Sequence, residues 1–215
     1  MQRLRVTFSR GEQLKYLSHL DVMRLWERAL RRAALPLSYS QGFSPHPRIS
    51  IAAPLPLGVT GENELMDIVF RRKVSPYSVQ KGLAEQLPSG MDIIGVSQVP
   101  PDDPSLQSQV RRAEYRVEME TAKTADEIGA AIDSFLALES LPWRHKRDDE
   151  MRSYDLRKLV ERVWLIEARG AECVLGMCLR TDGSASGRAE QVTLALGFEG
   201  QPKSICRIRL YLAGE

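Results

Sequence analysis

The chain has 215 residues and a mass of 24.2 kDa, enough for one large domain or two small ones at roughly 150 residues per domain. Its apolar fraction of 43%, charged fraction of 27% and formal net charge of +2 exclude a highly basic tail and an acidic solvating chain. The charge is uneven, because residues 1–50 carry nine basic and three acidic side chains. A polyanionic partner would therefore meet this N-terminal part first.

Several classes of protein are disfavoured by missing patterns. No apolar run approaches the ~20 residues that span a bilayer, and the first residues lack the apolar region of a signal peptide, so no membrane association is expected. An odd count of three cysteines favours reduced thiols and a cytoplasmic location. The scattered histidines and cysteines match no metal-site spacing, and phosphate-binding and dinucleotide motifs are absent, so neither a metal nor a cofactor is expected.

The first hundred residues predict a strand–helix–strand–strand–helix–strand order. The strands show apolar alternation, and the helices begin at Ser18, with Asp21 three residues later, and at Ser75-Pro76. The predicted elements are a strand Arg3–Ser9, a helix ending near Ala34, strands Ile49–Ala53 and Glu64–Arg71, a helix ending near Leu87, and a strand Met91–Gln98. This order is typical of the ferredoxin-like βαββαβ arrangement.

A proline-rich segment from Val99 to Pro104 predicts a boundary between two domains. We expect a first domain at residues 1–99, a linker at 100–112 and a second domain at 113–215. The second half predicts a strand from Glu114, a helix Ala125–Leu138, a hairpin at Arg169-Gly170, a helix Ala189–Leu196 and a final strand Ser204–Leu212. The predicted fold class is α+β, with two tandem ferredoxin-like domains of which the second is less regular.

Four arginines share one side of the first predicted helix. At 100° per residue, Arg24, Arg28, Arg31 and Arg32 fall within an arc of about 100°, and only Asp21 and Glu27 lie at neutralising spacing. Such an arc suits contact with phosphates. A solvated helix face is the alternative interpretation and carries about equal weight.

The loop that follows this helix concentrates side chains suited to ligand binding. Within ten residues it combines aromatic, imidazole, guanidinium and amide groups, namely Tyr39, Gln41, Phe43, His46 and Arg48. Pro45 and Pro47 restrict its backbone, and such loops suit unstacked bases or a ring-containing ligand. The alternative is an ordered crossover in which Tyr39 and His46 satisfy buried backbone groups.

Two histidines are candidates for acid–base chemistry. His19 lies at the start of the first helix, where the helix N-terminus disfavours the imidazolium, so a structural role is about three times more favoured. His46 lies in the aromatic loop. Neither has the paired His or Lys–His spacing that this catalysis would demand, so His19 and His46 remain candidates and no catalytic residue is assigned.

These residues resemble a known protein family. The segments Leu17–Asp21, Trp26–Ala33, Tyr39–Ser50 and Pro54–Val59, together with Asp67, resemble the uncharacterised radical-SAM-linked family. In the second half, Asp155-Leu156-Arg157 and Arg207 are similar to that family. The resemblance implies association with a radical SAM enzyme encoded nearby or fused to it. The iron–sulfur motif of such enzymes, C-x-x-x-C-x-x-C, is absent from this chain.

Three hypotheses of function follow. The leading one is a non-catalytic accessory protein that presents RNA or a ribosome-associated substrate to a radical SAM enzyme. In this hypothesis the four arginines of the first helix bind phosphates, and the aromatic loop binds the part of the substrate that reacts. The second is a metal-independent RNA endonuclease-like enzyme that uses His19 or His46. The third is a purely structural docking module.

Overall fold

The computed structural model describes residues 1–147 and 150–215, and the chain divides into two units, Met1–Val110 and Arg111–Glu215. The elements of the first unit are β1 (Gln2–Arg10), a short 3-10 turn (Glu12–Leu14), α1 (His19–Arg32), β2 (Ile49–Ile51), β3 (Val59–Phe70), α2 (Pro76–Ala84), β4 (Ile93–Val99) and the one-turn α3 (Leu106–Gln109). In its sheet, β1 lies between β4 and β3, and the short β2 pairs with β3, with all three pairings antiparallel.

The first unit is held together by an apolar layer between this sheet and its helices. Strand β1 alternates between buried and half-buried residues, so one face of the sheet is apolar. Helix α1 places Trp26 on this face, where its ring meets Phe8 edge-on at 4.9 Å between centroids. From α2, Val79 and Leu83 are fully buried in the same cluster. The layer fixes which side of α1 faces solvent.

Helix α1 is two residues shorter at its end than the sequence predicts. Ala33 is the C-cap, and Ala34 takes a left-handed φ of 51°, which stops the helical turn before Pro36. The predicted helix through Ala34 is corrected to an end at Arg32. Arg31 and Arg32 therefore occupy the last turn.

The elements of the second unit are β5 (Val110–Glu120, whose first residue closes the first unit), α4 (Ala125–Leu136), β6 (Pro142–Arg147), β7 (Glu150–Asp155), a 3-10 turn (Arg157–Leu159), β8 (Val160–Arg169), β9 (Glu172–Arg180), α5 (Ala189–Ala195) and β10 (Ser204–Leu212). Its sheet has the order β10–β5–β9–β8, and β9 runs antiparallel to both of its neighbours. The hairpin β6–β7 is inserted after α4 and pairs only within itself among the described residues.

Both units thus have the ferredoxin-like order, and the β6–β7 hairpin makes the second one less regular. This confirms the predicted fold class, α+β with two tandem βαββαβ domains. The predicted hairpin at Arg169-Gly170 joins β8 to β9, with Gly170 at a φ of 58°.

The segment 100–112, predicted to be a linker, has regular structure. Ser105 caps α3 by accepting a hydrogen bond from the Ser108 N–H at 3.3 Å, and β5 begins at Val110. Arg3 donates to the carbonyl oxygens of Pro100 at 2.9 Å and Pro104 at 3.3 Å, which fastens the proline-rich stretch to β1. The prolines end β4, but the residues that follow are ordered and are not a flexible linker. Within the described ranges, no helix is long and apolar enough to cross a membrane.

Candidate nucleic-acid interface

The four arginines of α1 point away from the apolar layer. Helix α1 begins after Ser18, whose hydroxyl oxygen accepts a hydrogen bond from the Asp21 N–H at 3.2 Å. Since Val22, Trp26, Ala29 and Leu30 are buried on one side, the 3.6-residue period turns the arginines to the other side. All four arginines are exposed. The spacing argument from the sequence therefore describes the helix correctly.

One of these arginines is partly neutralised, and three are not. Arg24 lies 3.4 Å from the Asp21 carboxylate, and the pKa of Asp21 is lowered chiefly by its hydrogen bond from the Ser18 hydroxyl, with a smaller effect of Arg24. Arg28, Arg31 and Arg32 pair with no carboxylate among the residues that the structure describes. Three unpaired guanidinium groups therefore lie within about 6 Å along the helix axis, at 1.5 Å per residue.

The aromatic loop is fixed at its base and open at its tip. Ser38 N–H donates to Val69 O at 2.9 Å, and Val69 N–H donates to Arg48 O at 3.0 Å, which ties both ends of the loop to β3. Closer to the tip, Ser40 N–H donates to His46 O at 2.9 Å, and Ser40 Oγ accepts from His46 N–H at 3.1 Å. Gly42 permits the chain reversal with a φ of 125°. The loop is thus a short, braced projection.

The side chains of this loop are presented in two ways. Phe43 is completely exposed at the tip, where a large apolar ring is unfavourable in water unless a partner covers it. Gln41 and the side chain of His46 are exposed beside it. Tyr39 is half-buried at the base, with the Arg71 guanidinium 5.5 Å from its ring centroid. Arg48 is exposed, and its guanidinium lies 3.7 Å from the sulfur of Met1.

A basic run that the sequence reasoning missed lies beside this loop. Arg71, Arg72 and Lys73 directly follow β3 and are exposed. Arg71 N–H donates to Pro36 O at 2.9 Å and its Nε donates to Leu37 O at 2.7 Å, which brings the run next to the segment between α1 and the aromatic loop. Three consecutive basic residues at the end of a predicted strand were the signal that could have found it.

These groups form one basic surface, which we call the basic end of the first unit. No member pairs with a carboxylate within the described part of the chain. Its members are Arg28, Arg31, Arg32, Arg48, Arg71, Arg72 and Lys73. Seven positive charges beside an exposed aromatic ring suit a polyanion that also carries unstacked bases.

His19 lies at the other end of α1. An exposed residue, it lines a small surface cavity together with Phe8, Val22, Ile51, Pro54 and Leu55. The cavity also meets Arg10 and Glu64, whose exposed fractions are only 3% and 1%. His46 lies in the aromatic loop, which follows the opposite end of this helix of 14 residues, and it does not line the cavity. The structure therefore does not bring the two histidines together, and no group of three His, Cys, Asp or Glu residues in the described ranges could hold a metal ion.

Comparison with solved structures finds chains with a similar fold. A chain in the crystal structure of a Cbf5–Nop10–Gar1 complex matches with a TM-score of 0.51 and 11% identity, over 97% of this chain and 48% of that one. A chain of the archaeal box H/ACA sRNP Nop10–Cbf5 complex matches with a TM-score of 0.48 and 13% identity, over 98% and 48%. The protein thus spans about half the length of these chains, and at such identities the likeness concerns the fold alone.

Sequence comparison gives a more specific match. A family profile described as "Uncharacterized protein conserved in bacteria (DUF2344)" matches residues 3–189. This range includes the basic end, the aromatic loop and most of the second unit. No curated protein matches the chain significantly.

Proposed function

The chain belongs to the DUF2344 family of uncharacterized proteins conserved in bacteria, and we propose that it is a non-catalytic accessory protein that binds RNA and presents it to a partner enzyme. The basic end carries this proposal. It combines seven cations that lack a carboxylate partner among the described residues with a fully exposed Phe43 on a braced loop. Phosphates neutralise such cations, and unpaired bases stack on such rings.

A purely structural origin of the basic end is less satisfactory. The C-terminal end of α1 carries the negative end of the helix dipole, which stabilises Arg31 and Arg32 in the last turn. This accounts for two of the seven positive charges. It does not account for Arg48 or for residues 71–73, which lie outside the helix. Nor does it explain a Phe43 ring in water. A ligand with phosphates and bases accounts for all of them.

The partner enzyme in this proposal is a radical SAM enzyme encoded nearby. Its support is the resemblance of residues 17–59 to the radical-SAM-linked family, since those residues include α1 and the aromatic loop. The substrate would be RNA or a ribosome-associated component. In this proposal the first unit holds the substrate while the partner performs the chemistry.

The test is RNA binding as a function of salt. We expect a fluorescein-labelled 20-mer oligouridylate to bind, with an affinity that falls about 10³-fold between 50 and 200 mM KCl if all seven cations contact phosphates, because each contact contributes a slope of about 0.7. Replacing both Arg28→Ala and Arg31→Ala removes two contacts, which lowers the affinity about 10- to 30-fold at 100 mM salt and reduces the slope by about 1.4.

A matched control separates placement from net charge. Arg169→Ala with Arg188→Ala removes the same charge from exposed positions of the second unit and is expected to leave the affinity within about twofold. Salt-independent binding, absence of binding, or equal losses for both pairs would contradict the proposal. Loss of RNA binding with unchanged co-purification of the radical SAM enzyme supports presentation, whereas RNA-free docking alone would support a structural module.

The cavity at His19 favours a second candidate, an RNA endonuclease-like activity. An exposed histidine that lines a cavity has the group needed for proton transfer. Cleavage of RNA by the purified protein, abolished by His19→Ala and unaffected by His46→Ala, would establish it. Intact RNA after prolonged incubation would exclude it.

A further inference from the structure

A tryptophan in the second unit lies flat against its sheet. Trp164 on β8 pairs across the sheet with Gly176 on β9. A Cβ built on Gly176 would overlap Cε2, Cζ2 and Nε1 of the indole, three adjacent atoms of one ring system. The Cβ position is nearest to Cε2, and Cζ2 and Nε1, both bonded to Cε2, are farther away. An approach in the plane of the ring would bring these two outer atoms nearer than Cε2, so the face of the ring, rather than its edge, covers the strand. Glycine is required here because any side chain would displace the ring.

This arrangement lies on the face of the sheet away from the apolar core. Along β9, Leu175 and Met177 are fully buried, and strand alternation turns Gly176 to the opposite face. Trp164 is only half-buried there, although tryptophan fills a core efficiently and its indole is large. One side of the ring rests on the strand, and the rest of the side chain is reached by solvent.

One arginine accompanies the indole on this face. The guanidinium of the exposed Arg162 lies over the ring of Trp164, 5.3 Å from its centroid. A second aromatic residue lies farther away on β10, with β5 and β9 between it and β8, where Tyr211 donates its hydroxyl to Glu114 at 2.5 Å and the guanidinium of Arg209 lies 4.5 Å from its ring. An aromatic ring beside a guanidinium group is the pairing found in sites that bind single-stranded nucleic acid.

The charges on this face distinguish Arg162 from its neighbours. Arg112 pairs with Glu161 at 3.0 Å, and Arg209 lies 3.8 Å from Glu215. Arg162 has no carboxylate partner within the described ranges. The cation beside the indole is thus available for a phosphate, whereas the outer cations are already compensated.

We propose that Trp164, held flat by Gly176, is a stacking platform for one unpaired base of a single-stranded RNA, and that the exposed Arg162 guanidinium, which lies over the ring, moves from it to the adjacent phosphate when the base stacks. The inference rests on the proposed function, because it assigns a further contact, within the second unit, for single-stranded RNA. A rigid ring on a sheet suits a base, since aromatic residues on the face of a four-stranded sheet are a general mode of reading single-stranded RNA. A duplex keeps its bases stacked internally and offers no free base to this platform.

The experiment compares two substitutions at this position in the full chain. Trp164→Phe retains an aromatic face, and we expect a labelled 10-mer oligouridylate to bind within about threefold of the wild type. Trp164→Leu removes the face and is expected to lower the affinity about 5- to 150-fold, the range for one stacked base. Because stacking releases no counterions, the salt slope should stay unchanged, and affinity for a duplex of the same length should not fall.

Intrinsic fluorescence gives a readout that loss of folding cannot imitate. The chain contains three tryptophans, and Trp26 is fully buried. We expect RNA to quench the wild-type emission and this quench to disappear in Trp164→Phe, although that variant still binds. A quench that persists in Trp164→Phe, or full affinity of a folded Trp164→Leu, would overturn the platform.

The outcomes for the two proposals can be told apart. If Arg28→Ala with Arg31→Ala weakens binding while Trp164→Leu does not, the platform is wrong and the proposed function stands. If the wild type binds no RNA, both are wrong. A Trp164→Leu variant that loses a protein partner but keeps its RNA affinity would assign this face to protein contact and overturn the stacking role.

Discussion

Asp67 shows how a single buried carboxylate can organise the polar face of β1. Its side chain is 5% exposed, and Arg5 reaches both of its oxygens, with Nε at 2.8 Å and Nη2 at 3.1 Å. Arg3 approaches the same carboxylate at 3.7 Å. Two guanidinium groups, each 14% exposed, thus depend on one acid.

Removing this carboxylate should be costly. Asp67→Ala removes both hydrogen bonds from the Arg5 guanidinium to its carboxylate and one of the two carboxylates near Arg3, and we expect the free energy of unfolding to fall by about 3 kcal/mol. Urea unfolding followed by circular dichroism measures it. Asp103→Ala is the matched control, because Asp103 also approaches Arg3, at 3.9 Å, but is 40% exposed and should change stability by less than about 0.5 kcal/mol. Equal effects of the two substitutions would contradict this role.

The sequence predicts the placement of some single residues and not of others. The spacing of Arg24, Arg28, Arg31 and Arg32 predicts their shared helix face because helical geometry is local. The neighbourhood of Arg71 and Tyr39 depends on contacts between residues 32 positions apart, for which no local pattern exists. The interaction of Trp164 with Gly176 is of the same kind, since it requires the register of β8 against β9.

At the scale of elements, two helix starts with similar sequences behave differently. At α4, Thr124 and Glu127 form a complete capping box, with the Glu127 carboxylate accepting from the Thr124 N–H at 2.7 Å. At α1, the shorter Asp21 instead accepts the Ser18 hydroxyl hydrogen at 2.7 Å. The sequence predicts a capping-box-like start at Ser18, and the missing methylene of Asp explains why only half of the box forms.

The Asp155-Leu156-Arg157 turn connects β7 to the strands of the second unit. Asp155 Oδ1 accepts from the Leu141 N–H at 2.9 Å and the Arg157 N–H at 3.1 Å. The Arg157 guanidinium donates to Leu136 O at the end of α4 and to Val160 O at 2.6 Å. The motif fastens three elements through backbone groups.

This turn predicts a specific pH dependence. The pKa of Asp155 is lowered to about 2, and the main cause is the hydrogen bond that its carboxylate accepts from the Leu141 N–H. Because the folded-state pKa lies below the unfolded value, the stabilisation by Asp155 is present above about pH 4 and is lost as the pH falls through about 2. We expect Asp155→Asn to be less stable than the wild type in urea at pH 6, and the difference to disappear near pH 2.

The control is Asp133→Asn, at an exposed position on α4. The difference in free energy of unfolding between this variant and the wild type should be the same at pH 6 and at pH 2. A constant difference between the wild type and Asp155→Asn from pH 6 to pH 2 would mean that the ionised carboxylate is not responsible.

For the whole molecule, the distribution of charge matters more than its sum. The net charge of +2 conceals an excess in the first fifty residues, and tertiary structure adds residues 71–73 to the same end of the first unit. Attraction of a polyanion depends on the local field within about one Debye length, roughly 10 Å at 0.1 M salt.

Two triple variants of equal net charge should therefore behave differently. Arg71→Ala, Arg72→Ala and Lys73→Ala together should lower the salt concentration at which the protein elutes from heparin by roughly a third, as three of seven contacts are lost. Lys158→Ala, Arg169→Ala and Arg188→Ala together should leave elution nearly unchanged. Identical elution of both triples would show that net charge alone governs retention.

Local patterns by themselves determined the fold class and most elements, because apolar periodicity and capping residues act over a few positions; the final strand Ser204–Leu212 is an example. They also identified the arginine face of α1 and the aromatic loop. Tertiary structure alone decided that residues 71–73 join them, that Trp164 lies over Gly176, and that His19 and His46 are apart. These arrangements are set by strand register and by hydrogen bonds between distant segments, which local sequence does not specify.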